Sequence, residues 1–424
     1  MGKGVRRSGK KEEQPVEAAR PSGVAGVVVE AREALRELVL NAGFAIFAEL
    51  LEEDREAVCG PRYSCEGERE AYRHGSEVGR LVFGGRQVRL RRPRVRSVDG
   101  EELSLPSWAA MKDQDPLEER AVQQVLCGVS TRKYDASLEE LPGSQESAGT
   151  SKSSVSRRFV ARTRGQIQAF LSRPLGDLDL PVLMLDGTTL GRHLLVVALG
   201  IDRDGKKHVL GVVQGTTESA AVCRRLLRTL IDRGLRVERR RLVVIDGSKG
   251  LAAALQSTFG GWIVIQRCRV HKARNVMDHL PKHLRPWFQV RLRKIWKLED
   301  ADCAQRRLLA LAKELETEYP GAAASLREGL EHTLTVNRLG LSGALLRTLR
   351  STNPIENLQG RIKDTARNVK RWRNGAMVLR WAVTGLMAAE TRFRRIRGYN
   401  DLNQLEAGLK QLIEIELDKE ALVA

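Results

Sequence analysis

The sequence predicts an α/β protein: a mixed five-stranded sheet flanked by helices, carrying an α-helical insertion and preceded by a mostly helical N-terminal region. Two observations predict it. From about Leu180 the text changes from charged and helical to short aliphatic runs in the order β-β-β-α-β-α-β. From Arg269 to about Gly343 it turns helical again, before the basic segment that starts "STNPIENLQG". Three meandering strands, then two strands joined through helices, make a mixed sheet with helices on its faces. That is the element order of the RNase H-like fold.

The elements follow in chain order. Residues 1–24 mix charge with Pro, Gly and Ser and predict a disordered tail. Val24 to Val58 has helical spacing of Leu, Val and Ala. "RLVFGGRQVRLRRPRV" predicts a strand, a Gly84–Gly85 turn and a second strand. In that second strand Arg89 and Arg91 alternate with apolar residues, a basic face able to follow a phosphate backbone or simply to face water. "PLEERAVQQVLCGVSTRKYDASLEEL", over 116–141, predicts helix, turn, helix. After a Gly/Ser-rich linker around Pro142 to Ser154, "SKSSVSRRFVARTRGQIQAFL" predicts a further basic helix with Ser151 or Ser153 at its N-cap. Lys152, Arg157 and Arg158 would face DNA if these helices form a helix-turn-helix reader; an ordinary helical domain reads the same way. The strands "LPVLMLDGTTL", "HLLVVALGIDRDG" and "KKHVLGVVQGTTES" come next, with "DRDG" as a hairpin turn. Helix "AAVCRRLLRTLIDRGL", strand "RRLVVIDGSKG", helix "LAAALQSTFG" and strand "GWIVIQRC" complete the sheet. The expected organisation is a tail at 1–24, an N-terminal DNA-binding region at 25–178, a core at 179–271 and 346–400 interrupted by the insertion at 272–345, and a C-terminal helix at 401–424.

Composition narrows the partners. The 424 residues carry a formal net charge of +19 and a sequence pI near 10.0, with 42% hydrophobic residues. That excess points to a polyanion, most simply nucleic acid. No apolar run approaches the ~18 residues that a membrane span needs, and the first 20 residues lack a signal peptide's apolar stretch. The six cysteines are scattered without a paired framework. A soluble intracellular protein is the expectation.

Three carboxylates carry the chemistry. Asp186 is expected to end the apolar strand "VLMLD", Asp246 to end "LVVID", and Glu356 to begin the basic helix. Each aspartate is followed by glycine, Gly187 and Gly247, which lets the chain turn and a ligand approach closely. Taken singly, each Asp-Gly also reads as a turn, and Glu356 as a capping-box acid. As a pair on neighbouring strands the aspartates would repel unless a cation sat between them. Hard Mg²⁺, with Mn²⁺ as substitute, suits carboxylate and phosphate oxygens. Glu356 would complete a two-metal site for in-line phosphoryl transfer.

The segments "LMLDGTTLGRHLLVVALGIDRDGKKHVLGVVQGTTES", "VVIDGSKGL", "VIQRCRVHKARNVMDHLP" and "STNPIENLQG" resemble the signature segments of bacterial mutator-type insertion-sequence transposases, relatives of the eukaryotic Mutator-like elements. The resemblance runs from about Tyr72 to Tyr399. It implies an RNase H-like DDE transposase with Asp186, Asp246 and Glu356 as triad and metal ligands, an N-terminal DNA-binding region, a helical insertion and Mg²⁺ dependence. It implies double-stranded DNA partners, namely terminal inverted repeats and target, and a homodimer or larger assembly on DNA. A nuclease of the same fold would need neither the insertion nor the large N-terminal region, and a non-catalytic DNA-binding protein would not need the triad.

Cys268 and His271 form a Cys-x-x-His segment past the last strand. His271 is expected to contact a phosphate or support the metal site; a buried thiol with a capping histidine is the plainer reading. Cys303, His279 and His283 complete no persuasive zinc spacing, and Cys59, Cys65 and His74 are a weaker candidate still. Lys249, Lys272 and Arg274 lie close in sequence to the expected site as candidate phosphate contacts; Arg361, Lys363, Arg367, Lys370, Arg371 and Arg373 after Glu356 cover more than one face, so some are expected to contact DNA and some water. Trp287 and Trp296 lie among basic residues, where core packing competes with stacking on an unpaired base; Trp372 and Trp381 read as core or interface.

Overall fold

The structure, a computed structural model, describes residues 24–63, 70–83, 86–113, 123–130, 134, 147–148, 151–215, 217 and 219–423. The expected tail up to residue 23, the Gly84–Gly85 turn, most of the helix-turn-helix over 116–141 and most of the following linker lie outside the described residues. The chain forms two compact units: Met1–Ala121 with Lys133–Ser151, and Val122–Arg132 with Lys152–Ala424.

In the first unit, helix α1 (Val24–Cys59) precedes the antiparallel strands β1 (Ala71–Phe83) and β2 (Arg86–Ser97). Short strands β3 (Glu102–Leu103) and β4 (Ser147–Ala148) also pair with β2, and helix α2 (Pro106–Asp113) packs beneath. Phe47, Leu51, Leu81, Val95, Leu105 and Trp108 form its core. Gly79 lies so close under the Trp108 ring that any Cβ there would collide with it. Of the basic face, Arg89 and Arg91 are exposed and Arg91 Nε donates to Ser76 Oγ at 2.7 Å. On the opposite parity of β2, Arg92 Nε donates to Glu77 at 2.8 Å and Arg94 Nε to Glu102 at 3.0 Å.

After Val122–Arg132, the second unit resumes with α3 (Lys152–Ser172) and contains a five-stranded mixed sheet. Its strands β5 (Val182–Leu190), β6 (His193–Ile201), β7 (Lys207–Gly215), β8 (Arg241–Ile245) and β9 (Ile263–Arg267) lie in the order β7-β6-β5-β8-β9. The β5–β6–β7 meander is antiparallel, while β8 runs parallel to both β5 and β9. The "DRDG" turn forms as expected, with Asp202 Oδ1 accepting the Asp204 and Lys206 amides at 2.9 and 2.8 Å.

The unbroken aliphatic strands follow from burial on both faces. Val182, Met184, Val197, Leu242 and Val244 face one apolar layer. Leu183, Leu185, Val196, Val243 and Ile245 face the other, with helices α4 (Ala220–Asp232) and α5 (Lys249–Phe259) packed there. Between β9 and the Glu356 helix come α6 (Arg269–Asp278), α7 (Arg285–Ile295), α8 (Ala301–Leu315), α9 (Pro320–Arg327), α10 (Thr335–Arg338) and α11 (Gly343–Leu349), the last two burying Val336, Leu345 and Leu349 in the first of these layers. Val276, Phe288, Leu292, Trp296, Leu308 and Leu326, from α6 to α9 and their connections, form a separate apolar core. Helices α12 (Asn353–Ala366), α13 (Gly375–Glu390) and α14 (Leu402–Val423) close the chain.

The expectations are revised at three points. Asp186 does not end its strand: β5 continues through Gly187, paired with Val196, as far as Leu190 opposite His193. The hairpin partner β6 is long enough to extend the ladder past the aspartate. The basic helix stops at Ala366, so Lys370, Arg371 and Arg373 lie in the connection to α13. Helix α3 packs into the second unit, its Phe159 ring 4.8 Å from that of Trp381; aromatic burial outweighs its position beside the N-terminal elements.

Candidate functional site

Strand parity decides where Asp186 points. Successive side chains of a strand alternate between faces, so Asp186 shares a face with Met184, the layer to which Ile355, Leu358 and Ile362 of α12 also belong. Asp186 is 4% exposed. Gln359 of α12, itself 6% exposed, donates through Nε2 to Asp186 Oδ2 at 3.0 Å and to Gly187 O at 3.4 Å. The sequence reading did not single out Gln359.

Asp246 stands just beyond β8. The β5–β8 register pairs Met184 with Val244, so Asp186 and Asp246 both lie two residues further along parallel neighbours, level with each other. Asp246 is half-buried, and its Oδ1 accepts the Ser248 amide at 2.8 Å. Ser248 caps α5, its hydroxyl accepting from Leu251 N at 3.4 Å. Gly247 has φ +108°, and a Cβ there would strike the Arg267 guanidinium. The glycine is needed because an arginine closes over it.

Glu356 lies in the first turn of α12, with Pro354 beside it in the helical start. It does not form a capping box. The N-cap residue Thr352 sends its hydroxyl to Glu356 Oε1 at 2.8 Å, and its amide to Cys268 Sγ at 3.4 Å. His271 Nδ1 lies 3.3 Å from Thr352 Oγ1 and 3.5 Å from Glu356 Oε1. Among the described residues it is Cys268, His271 and Glu356, not the three carboxylates, whose ligand atoms all lie within 4.8 Å of one another.

The charges of this group are coupled. The hydrogen bond to Cys268 raises His271 to about 9 against the opposing effect of burial, with Cys268, Glu356 and Asp186 adding attraction. Burial pushes the Cys268 thiol up, but hydrogen bonds from His271 and Thr352 bring it below its ordinary value. The charged forms of His271 and Cys268 thus favour each other across their hydrogen bond. Cys303, His279 and His283 form no such group among the described residues. Cys59 is buried, the His74 ring meets Tyr72 edge-on, and Cys65 lies outside the described residues.

A sequence profile described as "Transposase, Mutator family" matches residues 25–395, a span that contains all three carboxylates. The chain belongs to this family. It is 30% identical over 289 residues to the transposase for insertion sequence element IS6120 of Mycolicibacterium smegmatis, covering 67% of this chain and 87% of that protein. It is 29% identical over 381 residues to the transposase for ISRM5 of Rhizobium meliloti, covering 87% and 90%. The transposase for IS256 in transposon Tn4001 of Staphylococcus aureus is 27% identical over 334 residues, covering 75% and 81%. Among the described residues no helix is long and apolar enough to cross a membrane.

In this Mutator-family chain the basic residues separate into two kinds. Lys272 is fully buried, and its ammonium donates to the carbonyls of Ser325 and Glu328. Burial, with Arg267 alongside, brings it down to about 8. This corrects the expectation of a phosphate contact: Lys272 ties α6 to the end of α9 inside the insertion. Lys249 is exposed and pairs with Glu328 at 3.3 Å. Arg274, Arg361, Lys363, Arg367, Lys370, Arg371 and Arg373 are exposed, as are Lys152 and Arg157, while Arg158 is half-buried. Arg367 donates to Cys127 O at 3.4 Å. Trp296 is buried under Arg269, whereas Trp287 is exposed with Arg291 4.9 Å over its ring. Trp372 and Trp381 pack against the core of the unit.

Proposed function

We propose that the chain is a DDE transposase. It binds the terminal inverted repeats of its insertion sequence and catalyses metal-dependent strand cleavage and strand transfer. The observation that carries this is the position of Asp186 on β5 and of Asp246 just past the end of its parallel neighbour β8, each two residues beyond the paired Met184 and Val244, with Glu356 on the helix that reaches Asp186 through Gln359. Strand order and the helices on both faces support an RNase H-like core.

The donor set fits a hard divalent cation. Asp186 is almost fully buried, and it and Glu356 both draw His271 toward its charged form. Such a site demands positive charge, and carboxylate oxygens suit Mg²⁺ or Mn²⁺. Asp186, Asp246 and Glu356 would hold it, and once bound it would stabilise the charge that builds on the attacking and leaving oxygens of an in-line displacement. The chain's own contribution is placement. Strand β5 fixes Asp186, the turn after β8 holds Asp246 through the Ser248 amide, Thr352 orients Glu356, and the exposed cations at 361–373 hold the DNA backbone alongside. Water attacks a phosphodiester at the element's end, freeing a 3′-OH that then attacks a second strand. Residues 25–178 recognise the ends, two copies or more assemble on DNA, and the protein acts in a bacterial cytoplasm.

The test is an assay with purified protein, Mg²⁺ and DNA carrying the sequence that flanks the gene. Nicking at the repeat end plus joined products in wild type, and neither in Glu356→Gln, are expected. Binding without breakage in both proteins would overturn the proposal.

A further inference from the structure

The helix that carries Glu356 also carries Thr352 four residues before it and Gln359 three residues after it. At 100° per residue these three share one face. The opposite constraint comes from Ile355, Leu358, Ile362 and Ala366, which bury the apolar stripe in the sheet layer. Gln359 is therefore held at the sheet and cannot turn away to water.

Two acceptors face its amide, Asp186 Oδ2 and Gly187 O. Both must meet hydrogens, so the nitrogen rather than the oxygen of the amide points at the strand. Both N–H bonds are then engaged, and the amide plane is set. We propose that Gln359 is the positioning residue for Asp186: it fixes the carboxylate's orientation for a divalent cation and ties that orientation to the placement of Glu356. The inference rests on the metal-dependent reading above.

The chemistry explains why an amide stands there. A lysine or arginine at this position would also hold Asp186, but as a full counter-ion that competes with the metal. A neutral donor orients the carboxylate and leaves its charge available. Partners of this kind in metal sites typically contribute ~10–100-fold in metal affinity or activity. The helix does the rest. Gln359 and Glu356 are separated by ~4.5 Å of helical rise, so a shift of α12 moves both carboxylate supports together.

The experiment uses the full chain and three variants at this position: Gln359→Met, which keeps the shape and removes the donor; Gln359→Asn, which keeps the amide but retracts it; and Gln359→Lys, which keeps a donor and adds charge. Mn²⁺ binding is read without DNA from the loss of the free-ion EPR signal. The Mg²⁺ concentration for half-maximal nicking is read on the flanking DNA. Metal-free gel shifts and thermal melts report end binding and folding. Gln359→Met and Gln359→Asn are expected to weaken Mn²⁺ binding and raise half-saturating Mg²⁺ by about tenfold or more, with end binding unchanged and nicking partly restored at high Mg²⁺. Gln359→Lys is expected to need more Mg²⁺ than Gln359→Met. Wild-type metal affinity in folded Gln359→Met and Gln359→Asn, or in Gln359→Lys, would overturn the inference. Asp186→Asn is run beside them: if it too leaves Mn²⁺ binding and nicking intact, the metal-site reading itself has failed, whatever Gln359 does.

Discussion

The chain contains the same local text twice: a buried aliphatic run, then Asp-Gly. At Asp186 the strand continues past the acid, the side chain is buried, and its support arrives from a helix 173 residues later. At Asp246 the strand has already ended, the side chain is half-buried, and its support is the amide two residues on. One aspartate is held by tertiary packing and the other by its own loop. A motif thus specifies an acid at the edge of a sheet, while the partner that orients it depends on what lies across that edge.

The largest effect should erase the difference. Asp186→Asn and Asp246→Asn are each expected to lower nicking by about 10³-fold or more, since each removes charge from a site that must stabilise several kcal/mol of transition-state charge. End binding should persist in both. Near-wild-type nicking by one of them, resolved strand by strand, would leave that aspartate as a simple turn residue.

The two glycines should separate the motifs next. Gly247→Ala places a side chain at φ +108° and against Arg267, and is expected to destabilise the protein by about 1–3 kcal/mol. Gly187 is an ordinary strand residue paired with Val196, so Gly187→Ala carries no such backbone strain. Chemical denaturation of the two variants checks this, and equal losses would remove the distinction. Thr352→Val tests the third carboxylate. It keeps the shape and removes the hydroxyl from Glu356, with an expected loss of about tenfold in nicking and none in end binding. An unchanged rate would mean that Glu356 needs no local support.

The smallest effect concerns the two arginine-rich stretches. Arg92 and Arg94 already meet Glu77 and Glu102, whereas Arg361, Lys363, Arg371 and Arg373 are exposed. Alanine at each of the latter four is expected to reduce the slope of log affinity against log salt by about 0.9. Alanine at Arg92 should change it less. Equal slopes, measured by fluorescence titration across salt concentrations, would show that counting arginines is enough.

The sheet was legible in the sequence because strands buried on both faces must be aliphatic throughout, and the runs at Leu183, Val196 and Val243 have that composition. The helices after the last strand were legible because helical periodicity survives without long-range information. The three carboxylates stood out because an acid beside such runs, or at the head of a basic helix, is chemically conspicuous. What only the tertiary structure decided is how each group is held. Gln359 and Thr352 are unremarkable in the text; their roles exist because α12 lies across the face to which parity sends Asp186. Lys272 looked like a phosphate ligand beside the site and is instead buried in the insertion, because its helix turns it toward the end of α9. Local sequence encodes period and charge. It does not encode which distant carbonyl or carboxylate a polar side chain will meet, and that meeting sets what the side chain does.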